Sequence, residues 1–540
     1  MSGNKICDLR RLPLGRPDFS DLRERNKIYV DKTKLIAQIA EEDVPIFFAR
    51  PRRFGKSLLI NTFHSLFAKG LEDFQGLEME KTWQDKTYQV IHIDFSEIAE
   101  SIDQEFNYSL STKIINEFNI GYKIPDNSQK LQYPNIIISE ILKNFNNNSI
   151  VLLIDEYDAP LTHHIDEPND LKSIMKTLNN FYATIKQYTG KFRFIFITGV
   201  TRASHVSIFS TFNNLKDLSL RKEFNTILGF TKDDLEYYFD PYVENAANIL
   251  QLSKNEVYTR LEQYYDGFQF SIEAKETLYN PWSILNFLDS PTEGFYNYWF
   301  KSGGSSSIIM NYLKIKDNFD ILSYKNREIY KTIDELSNIY EITNIPIEIL
   351  LFQAGYFTIR QGSNNRAHLV FPNTEVEDSI LSLYLTANNI RVSNEVDDRI
   401  DDLAQNIDQK NLVAIVDTFN ATLNDCVSSL SQAFQDERSI RDIIYANLPQ
   451  NLDLQKIKER ETVKGRSDLE LLTRHTHMVI EFKRTKGNRD AKASLEEAIE
   501  QIKARNYGIS SFKTKILYRV AMVISTEEKK ILLDFCKEVD

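Results

Sequence analysis

The chain has 540 residues, 42% of them apolar, and its 34 Phe and 26 Tyr supply large side chains for burial; this exceeds one hydrophobic core, so two to four folded domains are expected and a disordered chain is excluded. A formal net charge of −12 excludes a protein that coats nucleic acid by bulk attraction, although a local basic groove can still bind it. No apolar run reaches the roughly 18 residues of a membrane span, the first residues lack a secretory signal, and Cys7, Cys426 and Cys536 sit at neither metal-ligand nor disulfide spacing, so a cytoplasmic protein without membrane contact is expected.

From Asp31 onward, apolar strands alternate with helical segments, the pattern of an α/β domain with a parallel sheet. Strands are expected at Val44–Ala49, Val90–Phe95, Ser149–Ile154 and Phe192–Ile197. Each carries its polar residues at the C-terminal end, where open α/β sheets bind ligands. The first runs into Arg50-Pro51-Arg52-Arg53-Phe54-Gly55-Lys56-Ser57. A Walker A loop is Gly-x4-Gly-Lys-Ser/Thr, in which backbone N–H groups cradle phosphate, the Lys reaches the terminal phosphates and the hydroxyl binds Mg²⁺. Gly55-Lys56-Ser57 is intact, but Arg50 stands at the first glycine position. Asp155-Glu156 ends the third strand as a Walker B pair does, the aspartate supporting Mg²⁺ and the glutamate orienting water. Thr198 and Arg202, after the fourth strand, are positioned to sense a γ-phosphate. Arg50, Arg52 and Arg53 either contact phosphate or pair with acidic neighbours such as Asp158.

After Gly229 the chain turns helical and aromatic-rich, a region expected either to cap the nucleotide site or to connect it to the last domain, with its aromatic residues serving as core. Gln361–Arg366 is read as a hairpin loop between two short strands. A helical lead-in from about residue 389 precedes a second constellation, Gly465-Arg466-Ser467-Asp468 and Glu481-Phe482-Lys483. A hairpin turning about Arg474-His475 sets residue 472 opposite 477 and Asp468 opposite Glu481, with Cβ atoms about 5 Å apart. Like charges so placed call for a cation, and Mg²⁺ suits carboxylates and water. Lys483 shares the strand face with Glu481 and can orient water or stabilise charge on phosphate. Glu461 is a candidate further carboxylate. His475 and His477, at the turn, and His163-His164, after the Walker B strand, are expected at the surface.

Leu12-Pro13-Leu14-Gly15, Tyr29-Val30-Asp31-Lys32-Thr33, Arg50–Ser57, Leu153–Asp158, Thr198–Arg202, Tyr265-Asp266-Gly267-Phe268 and Tyr279–Ser283, followed by the C-terminal motif, resemble bacterial AAA-ATPase-like proteins that carry a C-terminal PD-(D/E)XK nuclease-like domain. In that family arginine commonly replaces the first glycine of the loop. The resemblance implies an AAA-like P-loop ATPase domain over residues 10–228, a helical lid over 229–388 and an α/β nuclease-like domain over 389–540. It implies ATP and Mg²⁺ as cofactors, nucleic acid (DNA or RNA) as partner and a homo-oligomer as the common assembly of such modules. Ala498, Gln501 and Tyr507 resemble the family's final motif, in which Gln501 supports substrate or the lysine. The expected function is ATP-regulated, Mg²⁺-dependent cleavage of phosphodiester bonds. The alternatives are a nucleotide-switched binding module with a non-cleaving nuclease-like domain, and a plain ATPase whose C-terminal domain mediates assembly.

Overall fold

The computed structural model describes residues 11–15, 18–118, 133–202, 212, 214–301, 309–312, 328–361, 366–387, 402–426, 437–448, 454–458, 461–462, 465–508 and 515–540. The four apolar segments form parallel strands β1 (Ile46–Ala49), β2 (Gln89–Asp94), β3 (Ile150–Asp155) and β4 (Phe192–Gly199), and a short β5 (Lys216–Asp217) completes the order β2-β3-β4-β1-β5. Every residue of β3 is buried, as its unbroken apolar run requires of a strand covered on both faces. The parallel register sets Ala49 beside Gly199 and Asp94 beside Asp155. The strand ends therefore form one row, from which helix α1 (Lys56–Lys69) departs.

Two side chains after β3 fix the loop after β4. The Asp158 carboxylate accepts bonds from the Val200 and Thr201 N–H groups and from the Thr201 hydroxyl, at 2.6–3.2 Å, and the Tyr157 hydroxyl donates to the Thr201 carbonyl at 2.9 Å. This lock depends on Gly199, since a Cβ there would lie 2.5 Å from the Tyr157 ring.

The phosphate-type loop is anchored from beneath. The buried Arg50 guanidinium donates to the carbonyls of Ala49, Ser219 and Phe224 at 2.9, 2.5 and 3.1 Å, and lies 4.3 Å from the Phe48 ring centre and 4.2 Å from that of Phe270. Sequence reading expects Arg50 to contact phosphate or pair with an acidic neighbour such as Asp158; the structure turns its Nη1 and Nη2 to backbone carbonyls below the loop. Phe54 packs edge-on against Phe268 and Phe270, and Pro51 approaches Gly355 so closely that a Cβ on Gly355 would lie 2.7 Å from the proline.

The middle region contains α2 (Lys232–Leu250), α3 (Lys254–Tyr265) and α4 (Pro281–Asp289). The first two open on capping boxes, Thr231 with Asp234 and Ser253 with Glu256, which satisfy the orphan N–H groups of the first turn. Their aromatic residues, among them Phe239, Tyr265, Phe287 and Phe295, form a core, as expected. Strands β6 (Ile329–Thr332), β7 (Thr358–Gln361) and β8 (Arg366–Val370) form an antiparallel sheet ordered β6-β8-β7. The two strands flanking the polar hairpin loop were expected and β6 was not; residues 362–365 of the loop lie outside the described residues. This sheet and helix α5 (Thr374–Ala387) contribute Ile359, Leu369, Val376 and Ile380 to the same core as the first sheet. The α5 carboxylate Glu375 is buried, accepting from the Ser283 hydroxyl and from the Trp299 N–H at 2.9 Å.

Helices α6 (Leu412–Cys426) and α7 (Glu437–Asn447) precede a second sheet, ordered β15-β14-β13-β12-β9 and built from β9 (Gln455–Lys458), β12 (Leu469–Leu472), β13 (Thr476–Thr485), β14 (Ile516–Ser525) and β15 (Lys530–Glu538); β10 (Glu461–Thr462) and β11 (Gly465–Arg466) pair separately. Strands β13 and β14 are parallel, and helix α8 (Asn488–Arg505) makes the crossover between them, the connection a parallel pair needs. Leu469, Leu471, Met478, Ile480 and Phe482 face a core shared with α6 and α7, whereas Val479 packs with Ala498, Ile502 and Tyr507 on the α8 side. Among the described residues no helix is long and apolar enough to cross a membrane.

Two measurements check this account. Arg50→Lys is expected to lower the thermal midpoint, at about 1–3 kcal/mol for each buried carbonyl left unpaired, whereas Arg53→Lys, at an exposed position, changes stability by less than about 0.5 kcal/mol. Burial pushes the Glu375 carboxyl up to about 8 from its usual 4.5. The native state therefore holds a proton that the unfolded chain releases, so this contribution is present below pH 4.5 and is lost as pH rises toward about 8. Thermal unfolding between pH 5 and 8 is expected to show a shallower loss of stability in Glu375→Gln than in the parent.

Candidate functional site

The first site is a cavity of about 430 Å³ above the loop. Arg52, Arg53, Gly55, Lys56, Ser57 and Glu156 line its polar end, and Pro13, Ile28, Val30, Leu228 and Trp282 are among its apolar walls. The polar end is where a chain in the left-handed region turns twice: Arg53 has φ of 69° and Gly55 of 101°, the second opening α1 without a side-chain cap and leaving its first N–H groups for a ligand. The buried Lys56 ammonium donates to the Arg50 and Pro51 carbonyls at 3.0 and 3.2 Å; burial lowers its pKa, opposed by Glu156 and Asp155.

Asp155 is almost wholly buried, and burial, reinforced by the neighbouring Asp94, pushes its carboxyl up to about 7, while Lys56 and a hydrogen bond from Ser57 act the other way. The Walker A and Walker B residues Lys56, Ser57, Asp155 and Glu156 therefore meet at one point. Glu156 itself sits at φ 47°, a costly conformation for a non-glycine residue and one that clusters at functional sites.

Loop residues Arg50, Pro51 and Phe54 anchor from below rather than line the polar end, apart from the edge that Phe54 contributes to the wall. Arg202 also departs from expectation. Its guanidinium is paired with Asp217 and reaches the Leu336 carbonyl, and its backbone N–H donates to Gln353; it is not on the cavity wall. Asp217 closes β5, a strand too short to be read from sequence, so this partner was invisible there. The apolar wall was also missed as a site. Its signal was present in Leu12-Pro13-Leu14-Gly15 and Tyr279–Trp282, but nothing local says that segments so far apart enclose one space. Trp282 lies under the Arg53 guanidinium, 4.3 Å from ring centre to carbon.

The second site lies on the α8 face of the second sheet. The observed pairing Leu472↔His477 and Leu469↔Ile480 is the register expected from the turn, and continuing it by one residue brings Asp468 opposite Glu481. Asp468 Oδ2 accepts from the Phe482 N–H at 2.8 Å, and Oδ1 lies 3.6 Å from Arg441 Nη1 of α7. Glu481 is buried, its Oε1 is 3.5 Å from Lys483 Nζ, and its Oε2 has no hydrogen-bond partner among the described residues. Burial first, then the Asp468 charge, push the Glu481 carboxyl up to about 8, against the pull of Lys483 and Arg505. Lys483 also lies 3.8 Å from Glu497. Gln501 Nε2 is 3.4 Å from the Tyr507 hydroxyl, which accepts from Arg505 at 2.9 Å. The structure thus brings Asp468, Glu481 and Lys483 together and sets Gln501 on the helix above them; the Glu461 side chain lies outside the described residues. Arg441 and Arg505, further cations that act on these carboxylates, were not singled out from sequence because each is delivered by a separate helix.

A buried carboxylate oxygen without a partner, facing a second carboxylate, is costly and suits a divalent cation that retains several waters. Two side-chain carboxylates are available, since among the described residues no group of three or more His, Cys, Asp or Glu assembles. Two histidine expectations are corrected. His477 is buried, with Nε2 2.8 Å from Glu470, which also accepts from Ser467 at 2.7 Å. His164 is buried between Glu167 and the Ala99 carbonyl. His163 and His475 are exposed, as expected.

Residues 13–209 match the family model described as a predicted AAA-ATPase, and residues 435–533 match that of the PD-(D/E)XK nuclease superfamily. A protein of Azotobacter chroococcum mcd 1, described as an uncharacterized protein in the vnfD 5′ region, is 30% identical over 383 residues, covering 69% of each chain. The first match spans the loop and the strand-end acids and the second spans the carboxylate hairpin, and the chain belongs to the AAA-ATPase-like family, with a PD-(D/E)XK nuclease superfamily domain at its C-terminus.

Proposed function

We propose that the protein is an ATP-regulated, Mg²⁺-dependent nuclease. The observation that carries the nuclease reading is the buried Glu481 Oε2, without a hydrogen-bond partner among the described residues, opposite Asp468 with Lys483 alongside. Asp468 and Glu481 would hold Mg²⁺, which when bound supplies Lewis acidity toward a phosphodiester. Lys483 orients a water or offsets charge building on the phosphate, and Gln501 steadies the lysine or the substrate from α8. At the nucleotide end, Lys56 would exchange the Arg50 and Pro51 carbonyls for the terminal phosphates of ATP, Ser57 and Asp155 would hold the accompanying Mg²⁺, and Glu156 would orient water. Arg52 and Arg53 add charge-assisted contacts, and the apolar wall around Trp282 receives the base. Residues 10–228 and 229–388 act as one body, since they share a core, and residues 389–540 carry the nuclease centre. Nucleic acid is the substrate.

A second reading, a nucleotide-switched binding module that does not cleave, is favoured by Arg441, a cation already beside Asp468. Labelled single- and double-stranded DNA and RNA, incubated with Mg²⁺ or EDTA and with or without ATP, separate the two. Mg²⁺-dependent cutting is expected that vanishes in Asp468→Ala and falls on the order of 10²–10³-fold in Lys483→Ala, while Lys56→Ala abolishes the response to ATP. Nucleotide binding without cutting of any substrate would favour the binding module.

A further inference from the structure

A run of contacts reaches from one site to the other. At the nucleotide end Arg53 lies over Trp282 on α4. The next residue, Ser283, donates its hydroxyl to the two oxygens of buried Glu375 on α5, at 2.9 and 2.7 Å. One turn along α5, Asp378 accepts from the Tyr445 hydroxyl of α7 at 2.8 Å. One turn back along α7, Arg441 reaches Asp468 at 3.6 Å. Residues three or four apart share a helix face, so α5 and α7 each enter and leave the chain of contacts on one side, whereas on α4 it passes through the adjacent residues Trp282 and Ser283.

We propose that nucleotide binding is transmitted to the nuclease centre through α4, α5 and α7, with Arg441 as the output. The inference rests on the nucleotide and nuclease readings above and supplies the connection between them. At the input, anionic phosphates compete with the Trp282 ring for the Arg53 guanidinium, because a charge-assisted bond outweighs an exposed cation–π contact. At the output, Arg441 faces two carboxylates: Nε and Nη2 lie 3.0 and 2.9 Å from Asp442 Oδ1, while Nη1 faces Asp468. A small movement of α7 decides how far that guanidinium neutralises Asp468, and so how strongly Asp468 and Glu481 attract a cation between them. Such a two-position contact is what coupling between distant sites requires.

Hydrogen exchange of the full chain, with and without Mg²⁺-ATP, tests the connection. In the parent, exchange is expected to change at 52–58 and at 281–289, and by about five-fold or more at 440–448, the lower end of ordinary allosteric coupling. Tyr445→Phe removes only the hydroxyl bonded to Asp378, and Ser283→Ala only the hydroxyl bonded to Glu375. Each is expected to abolish the change at 440–448 and preserve that at 52–58; should one variant misfold, the other decides. An undiminished change at 440–448 in a folded variant, or none there in the parent when 52–58 responds, would overturn the proposal. No change at 52–58 would overturn the nucleotide reading and the connection with it. Absence of cleavage by the parent counts against the nuclease reading alone, since the exchange measurement does not depend on it.

Discussion

The Arg50 guanidinium is the joint on which the nucleotide end is assembled. It is desolvated enough that burial lowers its pKa to about 9, yet it is held between two aromatic rings and three carbonyls that belong to β1, to the segment after β5 and, through Phe270, to the middle region. This arrangement explains how the loop dispenses with the first glycine of the Walker pattern. Arg50 is not among the residues with positive φ, and the left-handed turns fall instead at Arg53 and Gly55. A side chain at position 50 is therefore sterically free to leave the loop on its lower side, where it becomes a fastening, and the upper side keeps the backbone a phosphate needs.

The two sites are built alike although the sheets differ. In each, strand register sets two acids side by side: Asp94 with Asp155 in a parallel pair, and Asp468 with Glu481 at the end of an antiparallel one. In each, a lysine opposes the repulsion, and in each the more buried acid is shifted up, Asp155 to about 7 and Glu481 to about 8. An acid pair that one lysine only partly neutralises costs stability, an arrangement typical of sites rather than of cores.

How much of this was legible in the sequence depended on which signals were local. The strands of the first sheet were readable because their apolar runs end abruptly in polar residues, and the Asp468–Glu481 register was readable because a tight turn fixes every pairing that follows it. His477 was misread by the same logic taken too far. Proximity to a turn suggested exposure, but position 477 already pairs with Leu472 and lies on the face covered by α8, so its ring is buried beside Glu470. Arg50, Arg202 and Arg441 were opaque for a related reason. A long cationic side chain goes to whichever acceptor the tertiary fold supplies, here the Phe224 carbonyl, Asp217 and Asp468, and those acceptors are 15 to 174 residues away along the chain.

The contacts between the sites differ in character along their length. The inner ones, Ser283 to Glu375 and Tyr445 to Asp378, are hydrogen bonds of 2.7–2.9 Å to carboxyl groups, with Glu375 and Tyr445 themselves buried, and in such low-dielectric surroundings hydrogen bonds are strong and geometrically exacting. The outer ones are a cation over a ring and an ion pair at 3.6 Å, longer than a hydrogen bond and tolerant of displacement. A firm middle with yielding ends carries a displacement without absorbing it, because what moves at Trp282 must move α5 and then α7 rather than stretch a bond between them. The reverse arrangement, with loose inner contacts, would dissipate the same motion before it reached Asp468. The middle region thus has a mechanical reason to bury a group as costly as the Glu375 carboxyl: its bonds to Ser283 tie α4 to α5.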